Sequence, residues 1–306
     1  MADNTPSGFH EVQQRFAALW QSLVTDGTRP RPAPERRGLL DQVRCALDRG
    51  EERLSDRQTA HIANTFKLED KIHEGTSTVV HRARHRDLGT YHAVKMLKDC
   101  HAGDPVAARL LLHEAEIGLA LRHPHIVATQ ALLRLEDGRP ALVFEWCSQS
   151  LSDRLREGSI AIAEIFDITR SVLSALDGVH EAGWVHCDLS PANLLFDGDR
   201  PGRIRLADFG VAVAVGTRQS ELDLSFAGQP DFAAPEQIAG KPLDARCDLY
   251  AAGRLLSLLL ERCDGASEDI SISALRAFAA QLTRSNPADR PENAKAAQAV
   301  LGGFQV

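Results

Sequence analysis

The pattern of hydrophobic and polar residues changes character once along this chain, near residue 66. Before that point, apolar residues recur at helical spacing from Phe9 to Leu23, which predicts an amphipathic helix. A proline-rich run over residues 29–34 predicts a stiff linker, and a second amphipathic helix is predicted over residues 37–49. Two short helices bury little apolar surface alone. Residues 1–65 are therefore predicted to be a helical extension that docks on the rest of the chain, with binding of a regulatory partner as the alternative.

From residue 66 onward, short segments of alternating polarity predict strands, for example over residues 67–72 and 91–97. A helix is predicted from Pro105 to Leu121, with Asp104 as its N-cap. Beyond residue 150 the apolar spacing is mostly helical. The pattern predicts an α+β fold for residues 66–306, with strands concentrated in about 66–145 and helices in about 150–306.

Composition narrows the class of protein. The 306 residues carry a formal net charge of −7, so no overall basic field favours nucleic acid as a partner. The six cysteines are scattered without a Cys-x-x-Cys pair, which disfavours a disulfide framework or a zinc site. The N-terminus lacks the pattern of a signal peptide, and no apolar run is long enough to span a bilayer. A cytoplasmic protein without a membrane span is expected.

One stretch suggests chemistry. His186-Cys187-Asp188 is followed, five positions after the aspartate, by Asn193, at a turn between a predicted helix and short apolar strands. A carboxylate there can accept the proton of an incoming hydroxyl, and an amide oxygen on the same loop can hold a metal bound to phosphates. A pattern with so few fixed residues can occur in a sequence by chance. The interpretation depends on whether the other parts of a phosphoryl-transfer site occur in order.

Those parts do occur in order, and residues 66–306 resemble a eukaryotic-like Ser/Thr protein kinase domain of the kind found in bacteria. Lys95 in Ala93-Val94-Lys95 resembles the lysine of the third kinase strand, and Glu114 resembles its partner on the following helix. The remaining motifs are the metal-binding Asp208-Phe209-Gly210, the segment-closing Ala234-Pro235-Glu236, the helical Asp248 with Gly253, and Arg290. The order of the set, more than any one member, carries the resemblance. The resemblance implies that residues of about 66–145 form a small β-rich lobe and those of about 150–306 a larger helical lobe.

The resemblance implies roles for individual residues. Lys95, held by Glu114, would neutralise phosphates of ATP, Asn193 and Asp208 would bind Mg²⁺, and Asp188 would accept the proton of the substrate hydroxyl. The remaining ATP contacts implied by the resemblance are Gly75 in the phosphate flap, Val80, Ala93 and Leu195 around adenine, and the main chain of Glu145 and Cys147.

The function expected from the resemblance is that of a Mg-ATP-dependent serine/threonine protein kinase. It would transfer the γ-phosphate of ATP to serine or threonine hydroxyls of proteins, with autophosphorylation as an open alternative. Residues 71–97 also faintly resemble kinases encoded in bacterial type VI secretion loci.

Several positions depart from the family pattern. Cys187 replaces the arginine that usually precedes the catalytic aspartate, which makes this a non-RD sequence, and Ser190 and Gln229 replace a lysine and a threonine. Gly118 stands where the helix carrying Glu114 normally has a large apolar residue, and this predicts a loosely seated helix.

These departures leave two alternatives open. One is a pseudokinase that serves as a nucleotide-binding or scaffolding module, since several contacts to the transferring phosphate are absent. The other is a small-molecule phosphotransferase. It is disfavoured because Ala234-Pro235-Glu236, Asp248 and Arg290 build a peptide-binding segment in the family.

Overall fold

A computed structural model describes residues 9–27, 29–33, 35–36, 39–40, 43, 61–62, 65–135, 137–196, 204–224, 226–264 and 270–304. The chain divides into two compact units, Met1–Ala60 and His61–Val306. Among the described residues, no helix is both long and apolar enough to cross a bilayer.

The first unit contains the predicted amphipathic helix. Helix α1 spans Phe9–Val24, and strands β1 (Thr25–Asp26) and β2 (Arg29–Pro30) then form a tight antiparallel pair. Gly27 adopts φ +61° in the turn between them, a conformation that glycine reaches without strain. The start of the proline-rich run therefore folds back on the helix, where a linker was expected. Most of the second helix predicted over 37–49 lies outside the described residues.

The second unit opens with a six-stranded antiparallel sheet in the order β3-β4-β5-β6-β8-β7. Its strands are β3 (His61–Ile62), β4 (Phe66–Glu74), β5 (Thr78–His85), β6 (Tyr91–Leu97), β7 (Thr129–Arg134) and β8 (Pro140–Glu145). Alternating side chains on one face of the sheet form a small core around Ala83, Val94 and Val143. The sheet begins at His61, a few residues before the change of pattern at residue 66.

A long helix packs against this sheet. Helix α2 (Pro105–Ala120) starts as predicted, because the Asp104 side chain accepts hydrogen bonds from the N–H groups of Val106 and Ala107 and Pro105 occupies the first turn. Its buried face includes Leu111, which packs in a cluster with Leu97 and Leu142.

Gly118 has a packing role in this helix. A Cβ atom built on Gly118 would lie 2.1 Å from Thr129 Oγ1, and Thr129 is itself buried. Any larger side chain would push α2 away from β7. The glycine therefore permits a close approach of helix and strand, which differs from the loosely seated helix expected from its position.

The remainder of the unit is mostly helical. Its helices are α3 (Leu151–Glu157), α4 (Ile162–Glu181), α5 (Pro235–Ile238), α6 (Ala245–Glu261), α7 (Ile270–Leu282) and α8 (Ala294–Gly302). Short strands link them: β9 (Gln149–Ser150), β10 (Trp184–Val185), β11 (Leu194–Phe196), β12 (Ile204–Leu206) and β13 (Val213–Ala214). The apolar faces of α4, α6 and α7 share one large core. The predicted α+β fold, with a β-rich lobe and a helical lobe, is confirmed.

Candidate active site

The two lobes meet at a buried cluster of charged side chains. Lys95, in the middle of β6, places its Nζ atom 2.7 Å from Glu114 Oε2 and 2.9 Å from Asp208 Oδ1. The Lys95 and Glu114 side chains are only 11% and 3% exposed, whereas Asp208 is 40% exposed. The cluster is therefore closed on the side of α2 and open on the side of Asp208. With all three groups ionised, it has one more negative than positive charge.

Burial and charge set the protonation of this cluster. Burial disfavours the charged form of Lys95, but the carboxylates of Asp208 and Glu114 outweigh it and raise the lysine pKa. For Glu114, burial dominates over the attraction of Lys95, and its pKa rises to about 7. Burial also acts to raise the pKa of Asp208, but Lys95 overcomes it and the net shift is downward. Asp208 is the carboxylate that stays ionised.

The loop between β10 and β11 supplies the second group of polar side chains. The amide of Asn193 donates two hydrogen bonds to Asp188, one to its main-chain oxygen at 2.8 Å and one to Oδ2 at 2.7 Å. Both donors of Asn193 are thereby used, and its amide oxygen is the atom that can ligate a cation. The N–H of Ala207 donates to the main-chain oxygen of Asn193 at 2.8 Å, which ties this loop to the neighbour of Asp208.

Asp188 sits in an environment that favours its protonated form. Burial raises its pKa, the charge of nearby Asp208 adds to the rise, and His186 and Asn193 oppose it. Within the described structure its Oδ1 atom is buried without a hydrogen-bond partner. A buried carboxylate oxygen without a donor is costly unless a ligand or a proton satisfies it.

A buried aspartate holds the loop in a strained shape. Cys187 adopts φ +67°, which a non-glycine residue reaches only when its surroundings enforce it. Asp248, in the first turn of α6, accepts the N–H groups of His186 at 2.8 Å and Cys187 at 2.9 Å and also contacts the His180 ring at 2.9 Å. Burial acts to raise the pKa of Asp248, but the His180 contact reverses the shift, so the carboxylate stays available as an acceptor.

The motif at Asp208 is connected to this loop by an aromatic contact. The rings of His186 and Phe209 meet edge to face with their centroids 5.0 Å apart, and Phe209 is 3% exposed. Asp208 adopts φ +67°, and its Oδ1 accepts a weak 3.3 Å hydrogen bond from the N–H of Gly210. These contacts aim the Asp208 carboxylate at Lys95.

The flap between β4 and β5 has one glycine and an unexpected acid. Gly75 donates its N–H to Thr78 O at 2.9 Å and closes the hairpin. Glu74 beside it contacts Lys71 Nζ at 2.5 Å and Lys98 Nζ at 2.9 Å. Hydrogen bonds from the two lysines lower the pKa of Glu74 to about 2. The paired lysines offset the acid, so that the flap does not present an unbalanced negative charge to an anionic ligand.

The apolar residues predicted around adenine lie on three different strands. Val80 on β5, Ala93 on β6 and Leu195 on β11 are all half-buried. Glu145 ends β8 and donates its N–H to Ala128 O at 3.1 Å, so a ligand contact by its main chain would use the carbonyl. Cys147, two residues later, is partly exposed. The Glu145 side chain makes hydrogen bonds within the protein, since its Oε1 accepts from Ala128 N and Arg205 Nη1, both at 2.6 Å.

A buried ion pair closes the far end of the segment that follows Gly210. Arg290 donates to both carboxylate oxygens of Glu236, at 2.6 and 3.0 Å. Its remaining donors bond the main-chain oxygens of Arg284, Arg246 and Ser285. Its guanidinium lies 4.9 Å from the ring centre of Tyr250. All the donors of the Arg290 guanidinium are therefore hydrogen-bonded.

The sequence reasoning missed two side chains near the site. Gln219 and Gln237 are each 4% exposed and hydrogen-bond the backbone of the segment between Gly210 and Glu236. The only signal was the position of Gln237 directly after Ala234-Pro235-Glu236. Gln219 lies in a polar stretch whose pattern predicts no burial.

The donor set suits magnesium. The side-chain oxygens that could ligate a cation here are the carboxylate of Asp208, the amide oxygen of Asn193 and the buried Oδ1 of Asp188. All are oxygens, the ligands that Mg²⁺ prefers, and Mg²⁺ in phosphate sites is held by one or two protein groups plus the phosphates. Within the described part of the chain, no group of three or more His, Cys, Asp and Glu side chains forms a complete metal cage.

Comparison with known proteins agrees with this geometry. A family model described as the protein kinase domain matches residues 66–299. The chain is 30% identical over 272 residues to the serine/threonine-protein kinase pkn3 of Myxococcus xanthus, covering 78% of this chain and 50% of that protein. It is 32% identical over 198 residues to the serine/threonine-protein kinase PknJ of Mycobacterium tuberculosis, covering 64% of this chain and 33% of that protein. The chain thus spans half or less of the length of these relatives.

Among solved structures, the kinase domain of PknI from Mycobacterium tuberculosis superimposes with a TM-score of 0.60. The alignment covers 81% of this chain and 98% of that domain at 22% identity, which supports the shared fold. Such domains use ATP and Mg²⁺ in general. The family match, the relatives and the fold agree, and the chain belongs to the protein kinase domain family, with homologues among bacterial serine/threonine kinases.

Proposed function

We propose that this protein is an active Mg-ATP-dependent serine/threonine protein kinase. The observation that carries the proposal is the assembled charged cluster. Lys95 contacts both Glu114 and Asp208, and Asp188 and Asn193 lie on the adjoining loop. A pseudokinase that served only as a scaffold would not need these costly buried charges, and one that only bound nucleotide would not need Asp188 on the adjoining loop.

Each side chain has a chemical task in this proposal. Mg²⁺, when bound, supplies charge neutralisation between phosphate oxygens, and Asp208 and Asn193 would hold it. Lys95 binds phosphate oxygens while Glu114 fixes its position. Asp188 accepts the proton of the attacking hydroxyl, and its environment already favours proton uptake. Val80, Ala93 and Leu195 bind the adenine ring, the main chain of Glu145 and Cys147 bonds its edge, and Gly75 lets the flap cover the phosphates.

A cleft beside the loop supports a polypeptide as the acceptor. It has a volume of about 570 Å³ and lies between α3, the C-terminal half of α6 and the stretch Gln229–Phe232. Leu155 and Leu258 give it an apolar floor, and Arg254 lines its side. An extended chain placed there would bring a hydroxyl toward Asp188, whereas a small-molecule phosphotransferase has no need of such a cleft.

Three further parts of the proposal concern regulation and place. Cys187 in place of arginine makes the protein a non-RD kinase, and the likeness of residues 71–97 to type VI secretion kinases suggests a setting in bacteria.

Residues 1–65 would act as a regulatory extension of a cytoplasmic kinase domain at 66–306, through docking or through a partner that binds helix α1. Deleting residues 1–60 should lower the kinase activity or the melting temperature. Unchanged values of both would refute this role.

The decisive test measures transfer of radiolabelled phosphate from ATP to casein or to the protein itself. Transfer should require Mg²⁺ and should disappear in Asp188→Ala. Asp167→Ala, at an exposed position of α4, is the matched control and should keep full activity. Binding of ATP without any transfer by the wild-type chain would favour the pseudokinase, and a small-molecule acceptor phosphorylated in place of protein would favour the phosphotransferase.

A further inference from the structure

Three glutamine side chains hold the segment that runs from Gly210 to Glu236. The first is Gln219, which is 4% exposed. Its Nε2 donates to Ala227 O at 2.9 Å, and its Oε1 accepts from Ala227 N at 3.2 Å. The amide of one side chain thus pairs with both backbone groups of a residue eight positions away, as a neighbouring strand would.

The second is Gln237, also 4% exposed, in the short helix α5. Its Nε2 donates to Ala227 O and to Cys187 O, both at 2.8 Å. Its Oε1 accepts a 3.3 Å hydrogen bond from the thiol of Cys247. This side chain therefore joins the segment to the strained residue directly before Asp188.

The third is Gln229, whose Nε2 donates to Ser190 Oγ at 2.8 Å. Ser190 is fully buried and lies two residues after Asp188. The neighbouring Gly228 adopts φ +113°, and a Cβ atom there would lie 2.6 Å from Cys187 O and 3.7 Å from Asp188 Oδ1. The segment passes so close to the main chain of Cys187, the residue before Asp188, that only glycine fits at this point.

The three contacts share a chemical property. Every donor and acceptor is neutral, and the side chains of Gln219 and Gln237 are buried, where an unpaired amide is costly. A phosphate on this segment would need a cation near the loop, and Cys187 supplies none, being 5% exposed in an apolar cluster with Val185 and Val213. Residues 227–229 are thus held by neutral hydrogen bonds. Cations act at other points of the segment, where Arg109 pairs with Asp223 at 2.6 Å and Arg254 donates to Asp231 O at 2.9 Å.

We propose that Gln219, Gln229 and Gln237 form an amide clamp that positions residues 227–231 beside Asp188 without any phosphate on the segment. The functional part of this proposal rests on the proposed kinase activity. The clamp residues are positioning residues. They hold the backbone against which an acceptor peptide would lie and keep the loop of Asp188 in place, while the ATP side of the site is held separately by Lys95 and Glu114.

The test compares hydrogen–deuterium exchange of the backbone at residues 227–231 in the phosphatase-treated full-length protein. Gln219→Ala and Gln237→Ala should each exchange about tenfold faster than the wild type, as expected for the loss of a buried hydrogen bond. Gln298→Ala is the matched control, since Gln298 also donates from a partly buried amide to a backbone oxygen, that of Leu173, at 3.1 Å. It should leave residues 227–231 unchanged.

Gln219→Glu separates hydrogen bonding from packing. The carboxylate keeps the size of the side chain but turns an acceptor toward Ala227 O, so this variant should exchange as fast as Gln219→Ala. In assays with casein, both variants should raise KM for casein and leave KM for ATP unchanged. A purely structural role would change both KM values together or neither.

Two results would overturn the clamp. One is slow exchange at residues 227–231 in both alanine variants, and the other is fast exchange of the wild type once phosphatase has acted. Fast exchange with an unchanged KM for casein would overturn the positioning role. If the wild type transfers no phosphate at all, the exchange data still decide whether the clamp exists, and only the kinase proposal fails.

Discussion

Two buried ion pairs in the same unit have opposite characters. Arg290 and Glu236 are 0% and 10% exposed, and every guanidinium donor has an acceptor. Lys95 and Glu114 are almost as buried, but Asp208 leaves their cluster open on one side and adds a second negative charge. One site is saturated, and the other is left with an excess of negative charge facing an opening.

The difference shows how to separate structural charges from binding charges. A buried pair with complete hydrogen bonding has nothing to offer a ligand, and its removal should affect stability. A cluster with an unbalanced charge and a carboxylate whose pKa is displaced to about 7 should respond to protons, cations and phosphates. The comparison yields three predictions, of which the largest concerns the saturated pair.

Arg290→Met should lower the free energy of unfolding by about 3–5 kcal/mol, because Glu236 and three main-chain oxygens lose their donor. Urea denaturation measures the change. The control is Arg156→Met, which removes an ion pair with Asp153 at a position 75% exposed. It should cost less than about 1 kcal/mol. An equal loss of unfolding free energy in the two variants would mean that neither the burial of Arg290 nor its complete hydrogen bonding adds to the stability.

Lys95→Met should reduce phosphate transfer by roughly a hundredfold to a thousandfold, the loss typical of a missing charge-stabilising donor. The folded state should survive, because Glu114 can take up a proton when its partner is gone. Steady-state transfer assays and far-UV circular dichroism measure the two effects. Lys67→Met, at an exposed position of β4, is the control. If Lys95→Met unfolds instead, Lys95 is needed for the stability of the fold, as is expected for Arg290.

The titration of Glu114 should make the free energy of unfolding depend on pH. Its pKa is about 7 in the folded protein and 4.5 for the ordinary side chain. Between these values the folded protein keeps a proton that the unfolded chain has released. The unfolding free energy from this group therefore falls as pH rises from about 4.5 to about 7, by at most about 1.4 kcal/mol per pH unit.

Glu114→Gln should remove this component, so that the variant gains stability relative to the wild type as pH rises through the interval. Chemical denaturation at a series of pH values gives both curves. Parallel curves for the wild type and the variant would contradict a proton held on Glu114.

The motif residues were predictable because each has a fixed chemical task at a fixed place along the chain. The order of the motifs that contain Lys95, Glu114, Asp188 and Asp208 suggested one site, and the structure brings Lys95, Glu114 and Asp208 within hydrogen-bond distance. The two-lobed fold followed from the family resemblance of these motifs, and the change of hydrophobic pattern near residue 66 marked where the domain begins. The role of Gly118 was harder to predict. Glycine has a low helix propensity, which suggests a less stable helix, whereas its close packing against Thr129 is a contact between positions that are not neighbours in sequence.

The sequence by itself determined the family motifs, their order, the two-lobed α+β architecture and the loss of cationic residues at positions 187 and 190. Only the tertiary structure showed which side chains hold the segment beside Asp188 in the absence of those cations. Gln219 and Gln237 look like ordinary surface residues in the sequence, yet both are buried on the segment beside Asp188. The physical reason is that an amide can serve as donor and acceptor to any backbone group, so nothing in the local pattern names its partner until the chain has folded.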